Sequence, residues 1–97
     1  YKLKIFQDNK SLIDINGELL IISQFTLFAS IKKGSKPSFS RAANPNLAKN
    51  LYDDFLHLCN KKLNTTVIKT GVFAANMLVE SVNDGPFTLH LDTKQRE

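Results

Sequence analysis

The sequence predicts an α+β domain, a mostly antiparallel sheet carrying one main amphipathic helix. Three observations lead there. Tyr1-Lys2-Leu3-Lys4-Ile5-Phe6 and Phe87-Thr88-Leu89-His90-Leu91 alternate apolar and polar residues with the period of a half-buried strand. Asn16-Gly17 is a two-residue hairpin signal, because a type I′ turn needs positive φ at both central positions. Leu47, Leu51, Phe55 and Leu58 recur at helical spacing directly after an Asn-Pro pair.

In chain order, Tyr1–Phe6 is read as a strand with Tyr1, Leu3 and Ile5 on one face and Lys2 and Lys4 on the other. It is already in mid-pattern and lacks an initiator Met, so the chain is expected to be a piece of a longer one. Gln7–Lys10 is a polar connector, after which Leu12–Ile15 is expected to pair antiparallel with Glu18–Phe28 through the Asn16-Gly17 turn. Leu19-Leu20-Ile21-Ile22 is a continuous apolar run, the pattern of a strand buried on both faces. Ser23-Gln24-Phe25-Thr26 then interrupts it before Leu27 and Phe28. Each polar group there needs a partner, since an unpaired buried one costs about 1–3 kcal/mol. The interruption marks either a site or the rim of the sheet.

Ala29–Arg41 reads as a basic loop, with Lys32, Lys33, Lys36, Arg41, Gly34 and Pro37 around a single aromatic, Phe39. Such a loop suits a nucleic-acid backbone with a base or ribose stacked on the ring. The alternative is a solvated loop whose Phe39 packs back on the core. Asn44 is a helix N-cap and Pro45 the first helical residue, and the helix should run to about Leu63. Tyr52, Leu56, Cys59 and Leu63 widen its apolar stripe, while Lys49, Asp53 and Asp54 face outward. His57 has no second ligand at metal spacing and reads as a surface residue. Cys59 reads as core. Thr65–Thr70 is a β-branched strand, Gly71–Asn76 a loop of small residues and Met77–Val82 a further strand. Asn83-Asp84-Gly85-Pro86 breaks it, Phe87–Leu91 resumes it, and Asp92–Glu97 is a charged, frayed tail.

Ninety-seven residues suffice for one domain. A hydrophobic share of 42% against 23% charged residues fits a globular chain and excludes disordered and fibrous classes. Thirteen Lys and Arg against nine Asp and Glu give +4, which permits a nucleic-acid partner without demanding one. The single Cys59 excludes an intrachain disulfide and a cysteine-rich zinc cluster, and fits a reducing compartment. No apolar run approaches the roughly 20 residues that cross a bilayer, so the expectation is a cytoplasmic protein without a membrane partner. Neither a Walker loop nor a dinucleotide fingerprint is present.

Taken together, SQFTL at Ser23–Leu27 and NDGPFT at Asn83–Thr88 resemble the paired signature of the D-aminoacyl-tRNA deacylases. KKGSKPSF at Lys32–Phe39 resembles that family's basic loop, and GVFAANM at Gly71–Met77 its segment before the last strands. Ala74 stands where a Gly is more usual. The resemblance runs from Tyr1 to Asp92 and implies the C-terminal two-thirds of a family domain, a barrel-like α+β subunit working as a homodimer. The implied reaction is hydrolysis of the ester between a D-amino acid and the terminal ribose of tRNA, a step of translation quality control. Glycine mischarged on tRNA-Ala is a further implied substrate. Gly85-Pro86 of one subunit, joined by a cis bond, is implied to reach the partner's pocket. Its carbonyls would leave no room for an L side chain, so that chirality is read by excluding the wrong enantiomer.

The resemblance assigns the reacting end to Ser23, Gln24, Phe25 and Thr26, with Met77 packing on the adenine and Phe39 closing the pocket. Lys32, Lys33, Lys36 and Arg41 would hold phosphates without reading sequence. An acyl ester needs an activated nucleophile and an oxyanion donor. Thr26 is the obvious protein nucleophile, yet no base lies near it in sequence. The other route uses the 2′-OH of the tRNA itself, with the protein positioning water and ester. Neither route calls for a metal or cofactor. Two readings of other classes stand beside the enzyme: a non-catalytic RNA-end binding module and an inactive fragment.

Overall fold

Helix α1 spans Pro45–Lys62 and begins where the Asn44-Pro45 pair predicts. Asn44 is extended, and its Oδ1 accepts a hydrogen bond from the Leu47 N–H at 2.9 Å, satisfying one of the free donors of the first turn. Lys61 and Lys62 lie in the last turn, where the helix dipole favours cations. The Leu63 N–H closes the helix on the Cys59 carbonyl at 2.8 Å. On the outer face Lys49 and Asp53 pair at 2.8 Å, one turn apart. The structure is a computed structural model describing residues 1–95.

Two short strands frame the helix. β1 (Leu19–Ile21) and β2 (Ile68–Thr70) pair in parallel, with Leu19 opposite Ile68, Leu20 opposite Lys69 and Ile21 opposite Thr70. Two more hydrogen bonds continue the ladder, Leu19 N–H to the Val67 carbonyl at 3.0 Å and Gly71 N–H to the Ile21 carbonyl at 2.8 Å. Parallel strands need a crossover, and α1 lies within the connection between them. The α+β class with a single helix and a small sheet therefore holds.

The sheet itself differs from the expected one. Its single ladder among the described residues is parallel rather than antiparallel, and it joins two strands. Tyr1–Phe6 forms no strand: Phe6 bridges only to Lys10, around a turn in which Asp8 and Asn9 take positive φ. Leu12–Ile15 is not half of a hairpin either. The Ser11 N–H donates to Asp14 Oδ2 at 2.9 Å and the Asp14 N–H to Ser11 Oγ at 3.3 Å, while the Gly17 N–H returns to the Leu12 carbonyl at 3.0 Å. These bonds wind residues 11–17 into a local turn, because short polar side chains offer the backbone an alternative to a ladder. Asn16 does take positive φ, at 51°, but it ends this turn instead of joining two strands. The expected strand Glu18–Phe28 shortens to Leu19–Ile21, and Phe25–Leu27 coils into one 3-10 turn. Thr65–Thr70 shortens to Ile68–Thr70. Met77–Val82 and Phe87–Leu91 enter no ladder, and Leu78 and Val82 are 99% and 98% exposed.

The helix also turns a different face inward. Leu47, Leu51, Phe55 and Leu58 are about half exposed, whereas Tyr52, Leu56 and Cys59 are half-buried and Leu63 is buried at 5%. Both sides of α1 are apolar, and the less exposed side is the one whose Tyr52 reaches the Ile21 and Gly71 carbonyls. Among the described residues Leu63 is the one buried hydrophobic side chain and Ser11 the one buried polar residue. The tail expected to fray makes a turn at Asp92–Gln95, where Asp92 Oδ1 accepts from the Lys94 N–H at 2.8 Å. Its last two residues, 96 and 97, lie outside the described residues.

Candidate functional site

A cavity of about 660 Å³ opens at the carboxyl end of the two strands. Four segments wall it: Ile22–Phe25 leaving β1, Phe39–Ser40 at the end of the basic loop, Ala42–Pro45 with Ala48 at the start of α1, and Phe73–Met77 with Val79 beyond β2. Its floor is apolar, with the Phe25, Phe39, Phe73 and Met77 side chains, and its polar groups are those of Ser23, Gln24, Ser40, Asn44 and Asn76. An apolar cavity with a few polar groups at its edge is the usual make-up of a small-molecule site. Among the described residues that line it, none carries an ionisable side chain.

Local contacts hold these walls. The Phe25 and Phe39 rings meet edge to face, tying the SQFTL segment to the end of the basic loop. Ser30 and Ser38 exchange two backbone hydrogen bonds of 2.8 Å, which close the base of that loop. Gly71 sits under Met77 so closely that an added Cβ would lie 2.8 Å from Met77 Sδ. Tyr52 donates its hydroxyl toward two carbonyls, Ile21 O at 3.2 Å and Gly71 O at 3.1 Å, and its ring lies 5.9 Å from that of Phe73.

The structure brings five of the expected site residues to one cavity: Ser23, Gln24, Phe25, Phe39 and Met77. Thr26 does not line it. Its hydroxyl oxygen accepts a hydrogen bond from Gln24 Nε2, so within this chain it orients the carboxamide. Lys32, Lys33 and Lys36 are exposed in the loop beyond the Ser30–Ser38 bridge. Arg41 lies with its guanidinium carbon 5.4 Å from the centre of the Phe28 ring. Gly85 and Pro86 are exposed and outside the cavity; their peptide bond is cis and Gly85 has φ of +134°. Sequence reasoning missed Phe73, Asn44 and Asn76 as lining residues, and Tyr52 as the residue behind the walls that joins Ile21 and Gly71. A signal for Tyr52 was present, because it follows Ala48 by four residues on the face that the helix start presents.

A family model described as D-Tyr-tRNA(Tyr) deacylase matches residues 1–92. The chain belongs to this family. The D-aminoacyl-tRNA deacylase of Cytophaga hutchinsonii is 52% identical over 100 residues, covering 98% of this chain and 66% of its own length. That of Thermosipho africanus is 53% identical over 98 residues, covering 96% of this chain and 64% of its own. A solved structure, the c-Myc DNA Unwinding Element Binding Protein, superposes with a TM-score of 0.83 at 38% identity, covering 95% of this chain and 65% of that one. The chain thus spans about two-thirds of the length of the curated relatives it matches. Among the described residues no helix is long and apolar enough to cross a membrane.

Proposed function

We propose that the protein hydrolyses the ester joining a D-amino acid to the terminal ribose of tRNA, releasing free amino acid and tRNA. The observation that carries this reading is the family match over residues 1–92, on a chain whose signature residues Ser23, Gln24 and Phe25 share a cavity with Phe39 and Met77. In this reading the cavity takes the terminal adenosine, with the base between Met77 and the phenylalanines. Ser23, Gln24 and backbone N–H groups meet the ester carbonyl and its developing oxyanion. The ionisable-free lining and the engagement of Thr26 with Gln24 favour the 2′-OH of the tRNA over Thr26 as the group that assists attack. Lys32, Lys33, Lys36 and Arg41 hold phosphates, a contact that gives affinity without sequence preference.

The chirality gate is assigned to Gly85-Pro86, acting on the pocket of a second subunit in a homodimer with sites at the interface. Its exposure outside its own cavity supports this, because the element is free to enter another copy's. A gate that excludes L side chains also admits glycine, so glycyl-tRNA belongs to the proposed substrate class. The 97 residues are read as one domain, the C-terminal two-thirds of the deacylase domain, working in the cytoplasm. In that whole domain the segments that enter no ladder here, Met77–Val82 and Phe87–Leu91, join a mostly antiparallel, barrel-like sheet.

The test is deacylation of matched D-Tyr-tRNA and L-Tyr-tRNA by the full-length protein and by this chain. Clearance of the D ester alone by the full-length protein is the expected result. If neither ester is cleaved while tRNA still binds, a non-catalytic RNA-end binding module replaces the enzyme. A chain that neither cleaves nor melts cooperatively is an inactive fragment.

A further inference from the structure

We infer that Tyr52 is a positioning residue, whose hydroxyl sets the spacing between the two strand exits that wall the cavity. The inference rests on the proposed function for its kinetic reading, and on geometry alone for its structural one. Ile21 is the last residue of β1, and the next residues, Ile22–Phe25, form one wall. Gly71 directly follows β2, and Phe73–Met77 form the opposite wall. The Gly71 N–H binds the Ile21 carbonyl at 2.8 Å, and this is the last ladder bond before the two chains part. Beyond it, among the described residues, the polar group that joins both exits is the Tyr52 phenol, at 3.2 Å from Ile21 O and 3.1 Å from Gly71 O.

The same tyrosine couples these exits to the third wall. Ala48, one helical turn before Tyr52 on the same face of α1, lines the cavity, as do Asn44 and Pro45 at the helix start. A single hydroxyl therefore ties helix, first strand and second strand at one point. Gly71 is the node: its N–H, its carbonyl and its bare Cα face are taken by Ile21, Tyr52 and Met77 in turn. A phenol oxygen carries one proton, shared here between two acceptors on the two strand exits. Tyr52 does not line the cavity, so it touches no ligand there and acts only through the segments it fixes.

The discriminating variant is Tyr52→Phe in the full-length protein, which keeps the ring against Phe73 and removes only the hydroxyl. Reactivity depends on sub-ångström placement of the ester, so the single-turnover rate on D-Tyr-tRNA is expected to fall roughly tenfold to a hundredfold. Affinity comes mainly from phosphate contacts remote from Tyr52, so the half-saturating concentration should stay within about twofold. The backbone amide resonances of Ser23, Gln24 and Met77 should all shift. Wild-type rate with unshifted amides overturns the inference, as does an equal loss in rate and affinity that follows lowered stability. If the wild-type protein cleaves neither ester, the proposed function fails while the amide shifts still decide the role of Tyr52. A slowly exchanging Tyr52 hydroxyl proton in the wild-type protein reads the same bond without any substitution, and a freely exchanging one overturns it.

Discussion

The Phe25 and Phe39 rings lie 5.4 Å apart, centroid to centroid, with their planes inclined by 76°. Phe39 packs back on the chain, one of the two readings its sequence allowed, and its ring also lines the cavity. Edge-to-face pairs contribute about 0.5–1.5 kcal/mol beyond the area they bury. A double-mutant cycle with Phe25→Ala and Phe39→Ala, followed by urea unfolding, should return a coupling energy in that range. Additive effects would mean that the two rings are independent and that the basic loop is anchored elsewhere.

Gly71→Ala tests the packing of Met77. The added methyl would sit 2.8 Å from Met77 Sδ and 3.5 Å from the Ile22 side chain. The thioether is flexible and can give way, so the stability cost should be about 1 kcal/mol, at the low end of overpacking. The Met77 methyl resonance should move and, under the proposed function, binding of the aminoacyl-tRNA end should weaken. An unmoved resonance would place Met77 away from Gly71.

Ala74 takes φ of 62°, a left-handed conformation that glycine adopts freely. A side chain there costs roughly 1–2 kcal/mol, which the greater freedom of glycine in the unfolded chain offsets by about 0.4–1 kcal/mol. Ala74→Gly should therefore raise the urea midpoint by the equivalent of a few tenths to about 1 kcal/mol, with an unchanged m-value. A lowered midpoint would contradict it.

At Gly85 the backbone has φ of +134°, and an added Cβ would meet the Phe87 backbone nitrogen at 3.2 Å. Backbone cannot retreat as a side-chain end can, so Gly85→Ala should cost roughly 1–3 kcal/mol locally and shift the Gly85-Pro86 element. Under the proposed gate, the ratio of D-Tyr-tRNA to L-Tyr-tRNA hydrolysis falls. A shifted element with unaltered selectivity would remove Gly85-Pro86 from the gate.

The Asp14 carboxyl is held below its ordinary value of 3.8, first by the Ser11 backbone N–H and then by the Ser11 side chain. A depressed carboxylate stabilises the folded turn above the unfolded pKa, and that contribution is lost as pH falls through the lower folded value. Ser11→Ala removes the hydroxyl but keeps the N–H, so Asp14 should titrate part of the way back toward 3.8. The carboxyl carbon shift of Asp14, followed through an acid titration, measures it. An identical titration in the variant would remove the Ser11 hydroxyl as a cause and leave the backbone N–H, with Lys4 and Lys10, to hold the carboxyl down.

Much of this protein was legible in its sequence because the relevant physics is local. Asn44 and Pro45 announce a helix start through one side-chain acceptor and one missing donor, and α1 begins there. The polar break Ser23-Gln24 and the aromatic Phe39 stood out as anomalies in an apolar run and a basic loop, and both line the cavity. Signature spacing along the chain was enough to assign the family, because it needs no knowledge of which segments touch.

Pairing was decided elsewhere. Alternation in Tyr1–Phe6 and Phe87–Leu91 shows that a segment has a face to bury, but the partner strand is a non-local choice that no spacing encodes. Ser11 and Asp14 satisfied the backbone of residues 11–17 locally, which withdrew one half of the expected hairpin and left β1 to pair in parallel with β2. The inward face of α1 followed the same logic: apolar residues lie on both sides, and tertiary packing left Tyr52, Leu56 and Leu63 less exposed than Leu51 and Phe55. The node at Gly71 is likewise a tertiary fact, since Ile21, Tyr52 and Met77 reach it from three separate parts of the chain. Composition and local hydrogen bonding determine which segments can be helix, turn or strand; only the three-dimensional competition for partners determines which of them meet.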